Sequence, residues 1–460
     1  MEDQRKQRHA RGVSLDDPRP LSLLFRLSLP AMIGLLVNIL YTMVDMVFVG
    51  QAVGPVGIAA LGISLGGYLV LTGAALMMGV GGASLVSRHL GAKQIAEAGR
   101  TARISISGMC LISLTLGTVG LLFFRPLAYT LGSDAETFPL VRSYLGVLLA
   151  GAPFLTISTV LQALLRSQGK AKEAMSASII GNVVNILLDF LFIIILDWGV
   201  LGASIATVFG QTSSALFAFR VLCSPRSAFS LKKETGRPYL QVFWRIVAIG
   251  SPTLMRQLGT GLVTIVVNRS LLMYGNTLSI AAYGIIWNLL MFFTMPVSGI
   301  VQGFQPIVGY QAGAKRYALV SRVLKASFLI TFLLGVFFLL LVMFVPSFFL
   351  QLFTHDQLLL KEARAVARIL LVSLPFLGIQ SIGTAFFQAV GRAIPALIFW
   401  IVRQFVLLIP LILLFGKQWG ASGIYLAFPL TDLICGSAIF LLALHHLRSM
   451  QREKVEQPSS

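Results

Sequence analysis

Residues 23–50 read LLFRLSLPAMIGLLVNILYTMVDMVFVG, 28 positions with one cation, Arg26, near the start and one acid, Asp45, near the end. About 20 predominantly apolar residues suffice for a helix to cross a bilayer, so this stretch can span a membrane. The rest of the chain has the same character. Of 460 residues, 56% are hydrophobic and 12% charged, against about 25% charged in soluble domains. Apolar stretches bounded by charges or turn residues fall near 24–49, 57–83, 104–124, 139–163, 174–196 and 200–221. A second set falls near 246–268, 278–302, 326–346, 366–388, 393–415 and 420–444. The expected fold is an all-α membrane protein with twelve transmembrane helices.

The formal net charge is +19, yet the basic residues are scattered through short loops, which is how orientation is encoded rather than nucleic-acid binding. With both termini in the cytoplasm, 27 of the 36 Lys and Arg lie on that side and seven on the other. This bias requires an even number of crossings. The opening MEDQRKQRHARGVSLDDPRP is polar and basic with no apolar core, so it reads as an uncleaved cytoplasmic tail. The expected location is the cell inner membrane. Cys110, Cys223 and Cys435 lie far apart without metal-ligand or disulfide spacing.

A gapless shift of 222 residues superposes Pro30 on Pro252, Ala59-Ala60 on Ala281-Ala282, Gly91-Ala92-Lys93 on Gly313-Ala314-Lys315, Pro153-Phe154 on Pro375-Phe376 and Gly169 on Gly391. The chain is therefore a repeat of two six-span units. An even number of spans brings both units in from the same side, related by an axis along the membrane normal. The expected organisation is a tail (1–22), an N-lobe (23–222), a linker (223–243), a C-lobe (244–445) and a second tail (446–460), with two pseudo-symmetric lobes around a central cleft suited to alternating access.

Ionised side chains inside the bilayer are costly, so intramembrane acids point to function. Three occur: Asp45, Asp189 and Asp432. Asn38, Tyr41 and Asp45 are spaced three then four, and Asn182, Asn185 and Asp189 repeat that spacing, so each trio shares one helix face. Helix direction places Asp45, Asp189, Tyr144 and Thr207 together in the outer half of the N-lobe. Two carboxylates in a poorly hydrated pocket repel as anions. Such a pair is suited to loading a proton, or to holding Na+ with oxygens of Asn185 and Thr207; a purely structural pairing with Asn or Tyr is the alternative. The shift takes Asp45 to Val267 and Asp189 to Leu411, so coupling is expected in one lobe only. In the C-lobe, Arg256 or Arg403 pairs with Asp432 for packing or meets substrate. Arg256, Gln257, Asn288, Gln302 and Gln305, with Tyr41, Asn182 and Gln211 of the first lobe, are candidate cleft residues. Their default use is interhelical hydrogen bonding.

Gly62-Ile63-Ser64-Leu65-Gly66 matches G-x-S-x-G but lies in an apolar span with no intramembrane histidine, so helix packing explains it better than hydrolysis. There is no P-loop or HExxH. An enzyme is not expected, nor any cofactor beyond H+ or Na+ as coupling ion.

The strings LPAMIGLLVNILYTMVDMVFVG, RHLGAK, LLRSQGKAK, GNVVNILLDFLFI and WGVLGASIAT, followed by SPTLMRQLGT, GIVQGFQPIVGYQAGAK, FFQAVGRA and WGASGIYLAFPLTD, resemble the multidrug and toxic compound extrusion (MATE) transporters, in the branch that includes MepA and the DinF-like exporters. The resemblance implies twelve helices in two lobes and cation-coupled export of amphipathic, often cationic, compounds. It also implies a cation site in the first lobe, its residues matching Asp45, Asn185, Asp189, Tyr144 and Thr207. Glutamine is frequent in the family where this chain has Asn38. Another branch carries coupling acids in helices 7 and 10, and neither predicted span contains one here. The function expected is a multidrug antiporter, monomeric, with small amphipathic cations and the lipid bilayer as its partners and no nucleic acid. A lipid-linked oligosaccharide flippase of the same superfamily and a non-transporting membrane receptor are the alternatives.

Overall fold

The computed structural model describes residues 14–17, 19–231 and 238–456. Most of the amino-terminal tail, the linker cations Lys232, Lys233 and Arg237, and residues 457–460 lie outside the described residues. The first lobe comprises α1 (Pro20–Val53), α2 (Pro55–Gly91), α3 (Ile95–Leu122), α4, α5 (Ala171–Ile195) and α6 (Gly199–Leu222). Here α4 is a pair, Phe138–Ala150 and Ala152–Ser167, bent by 54°. The second lobe comprises α7 (Tyr239–Tyr274), α8 (Thr277–Gly313), α9 (Tyr317–Phe344) and α10 (Gln357–Ala389). It closes with α11 (393–419) and α12 (421–456), which run on from each other through non-helical backbone at Gly420. Short helices Phe124–Thr130 and Pro346–Gln351 follow α3 and α9.

Among the described residues, nine helices are long and apolar enough to cross a membrane, or ten with the bent pair as one span. The break at Gly420 divides one of these into α11 and α12, and α7 is 36 residues long but carries Arg245, Arg256 and Arg269. Together they make the twelve crossings. Phe25, Leu29, Leu36, Leu111, Phe332 and Leu441 are among many large apolar side chains left exposed. Such a surface fits lipid rather than water.

Several helices outrun the expected spans. α2 continues to Gly91 and α8 to Gly313, because polar residues do not stop a helix; they only leave the hydrocarbon. The stop comes from backbone geometry: Lys93 and Lys315 take φ +60 and +56, a left-handed conformation unusual for side chains with a Cβ. α12 likewise runs to Glu456, through much of the stretch assigned to the tail. α10 starts earlier than expected and so contains Glu362, which corrects the reading that this helix lacks an acid. Glu362 accepts from Ser279 Oγ at 3.3 Å near the end of α10 remote from the termini.

The repeat is visible in the backbone. Besides Lys93 and Lys315, Gly169 and Gly391 take φ +80 and +83, and Gly199 and Gly420 take +52 and +62. Internal prolines recur at Pro30 and Pro252. The lobes meet where small residues let backbones touch. A Cβ on Gly81 would strike Ile246 O, one on Gly250 would strike Met77 O, and the same holds for Gly91 against Tyr310 O and Gly313 against Arg88 O. Ser84 Oγ donates to Gln388 O at 2.6 Å and Arg88 Nη1 to Val390 O at 3.4 Å. These contacts fall in the half of the molecule that bears both termini.

Candidate cation and substrate sites

Asp45 lies in the half of α1 remote from the termini, and Asp189 is the last α-helical residue before a wide-turned π segment, Phe190–Ile195. Such segments insert an extra residue per turn and often mark functional sites. Asp45 is 6% exposed and Asp189 is fully enclosed. The two are near enough for their charges to act on one another. In each carboxylate Oδ1 is buried with no hydrogen-bond partner, and neither acid has an ion pair among the described residues. When the amide of Asn185 turns its nitrogen toward the carboxylate, it donates to Asp189 Oδ2 at 3.2 Å, and its oxygen accepts from Thr207 N at 3.2 Å. The opposite orientation would face carbonyl oxygen to carboxylate. Thr207 Oγ1 donates to Ala203 O on its own helix. Tyr41 and Tyr144 fall within the electrostatic reach of both acids.

The structure thus brings together Asp45, Asp189, Asn185, Thr207, Tyr41 and Tyr144, and adds Tyr68, which the sequence reading missed. Tyr68 lies beside Tyr41 and within the electrostatic reach of Asp45. Its one sequence signal is a hydroxyl in the middle of an apolar span. Asn38 stands apart from this group. Seven residues before Asp45, about 10 Å along the helix, it is exposed and lines a cavity of about 250 Å³. Tyr68, Gln162, Asn182, Gln211 and Gln302 share that wall. Asn182 Nδ2 is buried without a partner, and Gln211 Oε1 accepts from Ser158 Oγ at 2.7 Å. Arg166, counted from the sequence only as an orienting loop cation, occupies the last turn of α4 and lines both this cavity and a smaller neighbour with Gln302 and Gln305.

In the C-lobe, Arg403 rather than Arg256 takes Asp432. Its Nη2 and Nε donate to Asp432 Oδ1 at 2.6 and 2.9 Å, and Gln380 Nε2 adds a bond at 3.1 Å. Arg256 is exposed and lies 6.0 Å from the Trp400 ring centre. Gln257 packs near Gly73 of α2. Asn288 is exposed and donates to Gly284 O of its own helix, which sets it outside the polar cluster. Ser64 of the G-x-S-x-G string is fully buried, its hydroxyl spent on Ala60 O at 2.7 Å. Among the described residues no three His, Cys, Asp or Glu gather into a metal site. The acid cluster offers oxygen atoms only, a donor set for a proton or a hard cation.

Two lobes of six helices touching at one end, with two enclosed acids clustered in one and an Arg–Asp pair in the other, define a membrane transporter rather than an enzyme. The MatE family profile matches residues 30–191 and 252–414, once in each lobe, and the chain belongs to that family. It is 28% identical over 415 residues to the multidrug export protein MepA of Staphylococcus aureus strain MRSA252, covering 90% of this chain and 91% of that protein. The MepA of Staphylococcus saprophyticus is 26% identical over the same length. Among solved structures, the outward-facing conformation of a multidrug resistance MATE family transporter of the MOP superfamily superposes with TM-score 0.88 at 25% identity, covering 94% of this chain and 96% of that one. A MATE in the bent conformation matches with the same score and identity, covering 94% and 97%.

Proposed function

We propose that this protein is a secondary antiporter of the cell inner membrane that exports amphipathic organic cations in exchange for H+, with Na+ the second choice. The observation that carries the reading is the pair of enclosed acids in one lobe, each with an unpartnered oxygen and neither with a counter-ion among the described residues. An ionised group left so is expensive unless a mobile cation supplies what the protein does not. The relatedness to exporters named for multidrug transport supports the cargo class.

Both termini are cytoplasmic in this reading, so the lobes touch on the cytoplasmic side and the cleft opens outward. Asp45 and Asp189 capture the cation there, Asn185, Thr207 and the tyrosines reorganise their hydrogen bonds, and α1 repacks against α5. Substrate affinity falls and cargo leaves before the lobes rock inward. One proton entering is worth about 2.3 kcal/mol per 100 mV. No resident cofactor takes part, and the working unit is one chain in lipid. Proteoliposomes loaded with ethidium and given separate pH and Na+ gradients test this. Efflux driven by the pH gradient is expected; efflux indifferent to both gradients would overturn the antiport reading. A lipid-linked oligosaccharide flippase is the second reading, favoured by Arg256, an exposed cation with no ion pair among the described residues. Translocation of a lipid pyrophosphate in the same liposomes, without ethidium flux, would establish it.

A further inference from the structure

The two lobes differ in character at four equivalent positions. Gly34, Ser178 and Gly181 line the N-lobe cavity, with Asn182 beside them. Counting 222 residues on, the C-lobe has Arg256, Trp400, Arg403 and Gln404. Where one lobe is hollowed by small residues, the other sets two guanidinium groups around one indole, Arg403 at 5.4 Å and Arg256 at 6.0 Å from its centre. Packing alone does not ask for two like charges on one ring. Asp432 neutralises Arg403, and the pair is buried. Arg256 has no hydrogen bond or ion pair from its side chain among the described residues, and it is exposed although it sits near the middle of α7. Gln404, three turns from the start of α11, is 2% exposed and its Oε1 has no partner. Its amide packs under Gly259, one turn along α7 from Arg256. A π segment, Val402–Leu408, presents Arg403 and Gln404 here, and such segments gather at functional sites.

We propose that Arg256, held over Trp400, docks a carboxylate, so that the substrates of this transporter include zwitterionic amphiphiles whose aromatic portion follows the guanidinium onto the indole. The fixed Arg403–Asp432 pair supplies no free acid to compete, and the planar fork of Arg256 suits a carboxylate with two oxygens. The N-lobe acids then answer the cationic end and the C-lobe the anionic end. This rests on the reading that the chain carries amphipathic substrates, but the test needs no ion gradient, so failure of antiport and failure of this site are separable.

Full-length protein in phosphatidylcholine nanodiscs is titrated with two fluorescent xanthene dyes, one bearing a free carboxylate and the other its methyl ester, and binding is read by polarisation. The wild type should prefer the free carboxylate. Arg256→Gln should lose about tenfold to a hundredfold in affinity for that dye, the worth of a charge-assisted hydrogen-bonded contact, with ester binding changed less than twofold. Arg256→Lys, which keeps the charge but loses the planar fork and its stacking on the indole, should retain only part of the preference. Adding phosphatidylglycerol to the discs should leave the preference in place; its abolition would make a lipid headgroup the occupant and overturn the substrate assignment. A wild type that favours the ester, or an Arg256→Gln protein that remains monodisperse and changes equally toward both dyes, would also overturn it.

Discussion

The two lobes share their backbone devices and oppose one another in charge. Left-handed turns recur at Lys93 and Lys315 and at Gly169 and Gly391. Asp134 accepts from Thr137 N at 2.8 Å before α4, and Asp356, 222 residues on, accepts from Leu358 N at 2.8 Å at the start of α10. The polar interior is not shared. Among the described residues, the N-lobe keeps Asp45 and Asp189 enclosed and without counter-ions, whereas the C-lobe pairs Asp432 with Arg403 and leaves the Arg256 side chain without an ion pair. Turns, caps and close crossings serve folding, which both halves need alike. In the proposed antiport a buried acid without a partner serves transport, and one set of acids is enough for coupling.

The sharpest break of this comparison is at the acids. Asp45→Asn and Asp189→Asn should each reduce gradient-driven ethidium efflux to the level of empty liposomes while insertion and yield stay near wild type. Full efflux from both would return the acids to a structural role. Asp432→Asn should do the reverse. It leaves Arg403 buried with its partner weakened, at a cost up to the roughly 3–5 kcal/mol seen when a buried pair is broken, while the folded fraction remains coupled. Thermal unfolding in detergent reads the loss, and joint replacement as Arg403→Met with Asp432→Leu should recover most of it. Loss of coupling without loss of stability would erase the distinction between the lobes.

A smaller effect is expected where the N-lobe is hollow. A Cβ on Gly181 would come within 2.9 Å of Gly210 O and of Ser214 Cβ. Gly181→Ala should therefore push α5 from α6, at about 1–3 kcal/mol as for other overpacked sites, and weaken dye binding severalfold. Unchanged stability would show that these helices are free to separate. The smallest effect concerns the two matching acids that precede α4 and α10. Hydrogen bonds from Thr137, the backbone one first, hold the Asp134 carboxyl below its ordinary value. Its contribution is present above the unfolded carboxylate range, about 3.9, and is lost as pH falls through the lowered value. Asp134→Ala and Asp356→Ala should lower the melting temperature slightly and equally at neutral pH, and the Asp134 difference should close in acid.

The span pattern, the repeat and the partners Asp45 and Asp189 were legible because each is written along one chain segment: apolar length, a constant offset, and a three-four spacing that fixes a helix face. What depends on helix rotation was not. Either Arg256 or Arg403 fitted Asp432 from the sequence, and only the π segment of α11 shows why Arg403 reaches it. Tyr68 belongs to the acid cluster through contact across helices. Asn38, on the same face as Asp45, lies two turns too far along and lines the cavity instead. Arg166 looked like a loop residue because α4 extends beyond the apolar run that announced it.

The central claim is that cation capture by Asp45 and Asp189 expels substrate. Equilibrium dye binding measured in nanodiscs across a pH series, and across a Na+ series at fixed pH, asks this without any flux. In the wild type, affinity should fall as the coupling cation rises. In the protein carrying both Asp45→Asn and Asp189→Asn, affinity should be flat across both series. Affinity in that double variant that still falls in step with the wild type would contradict the account.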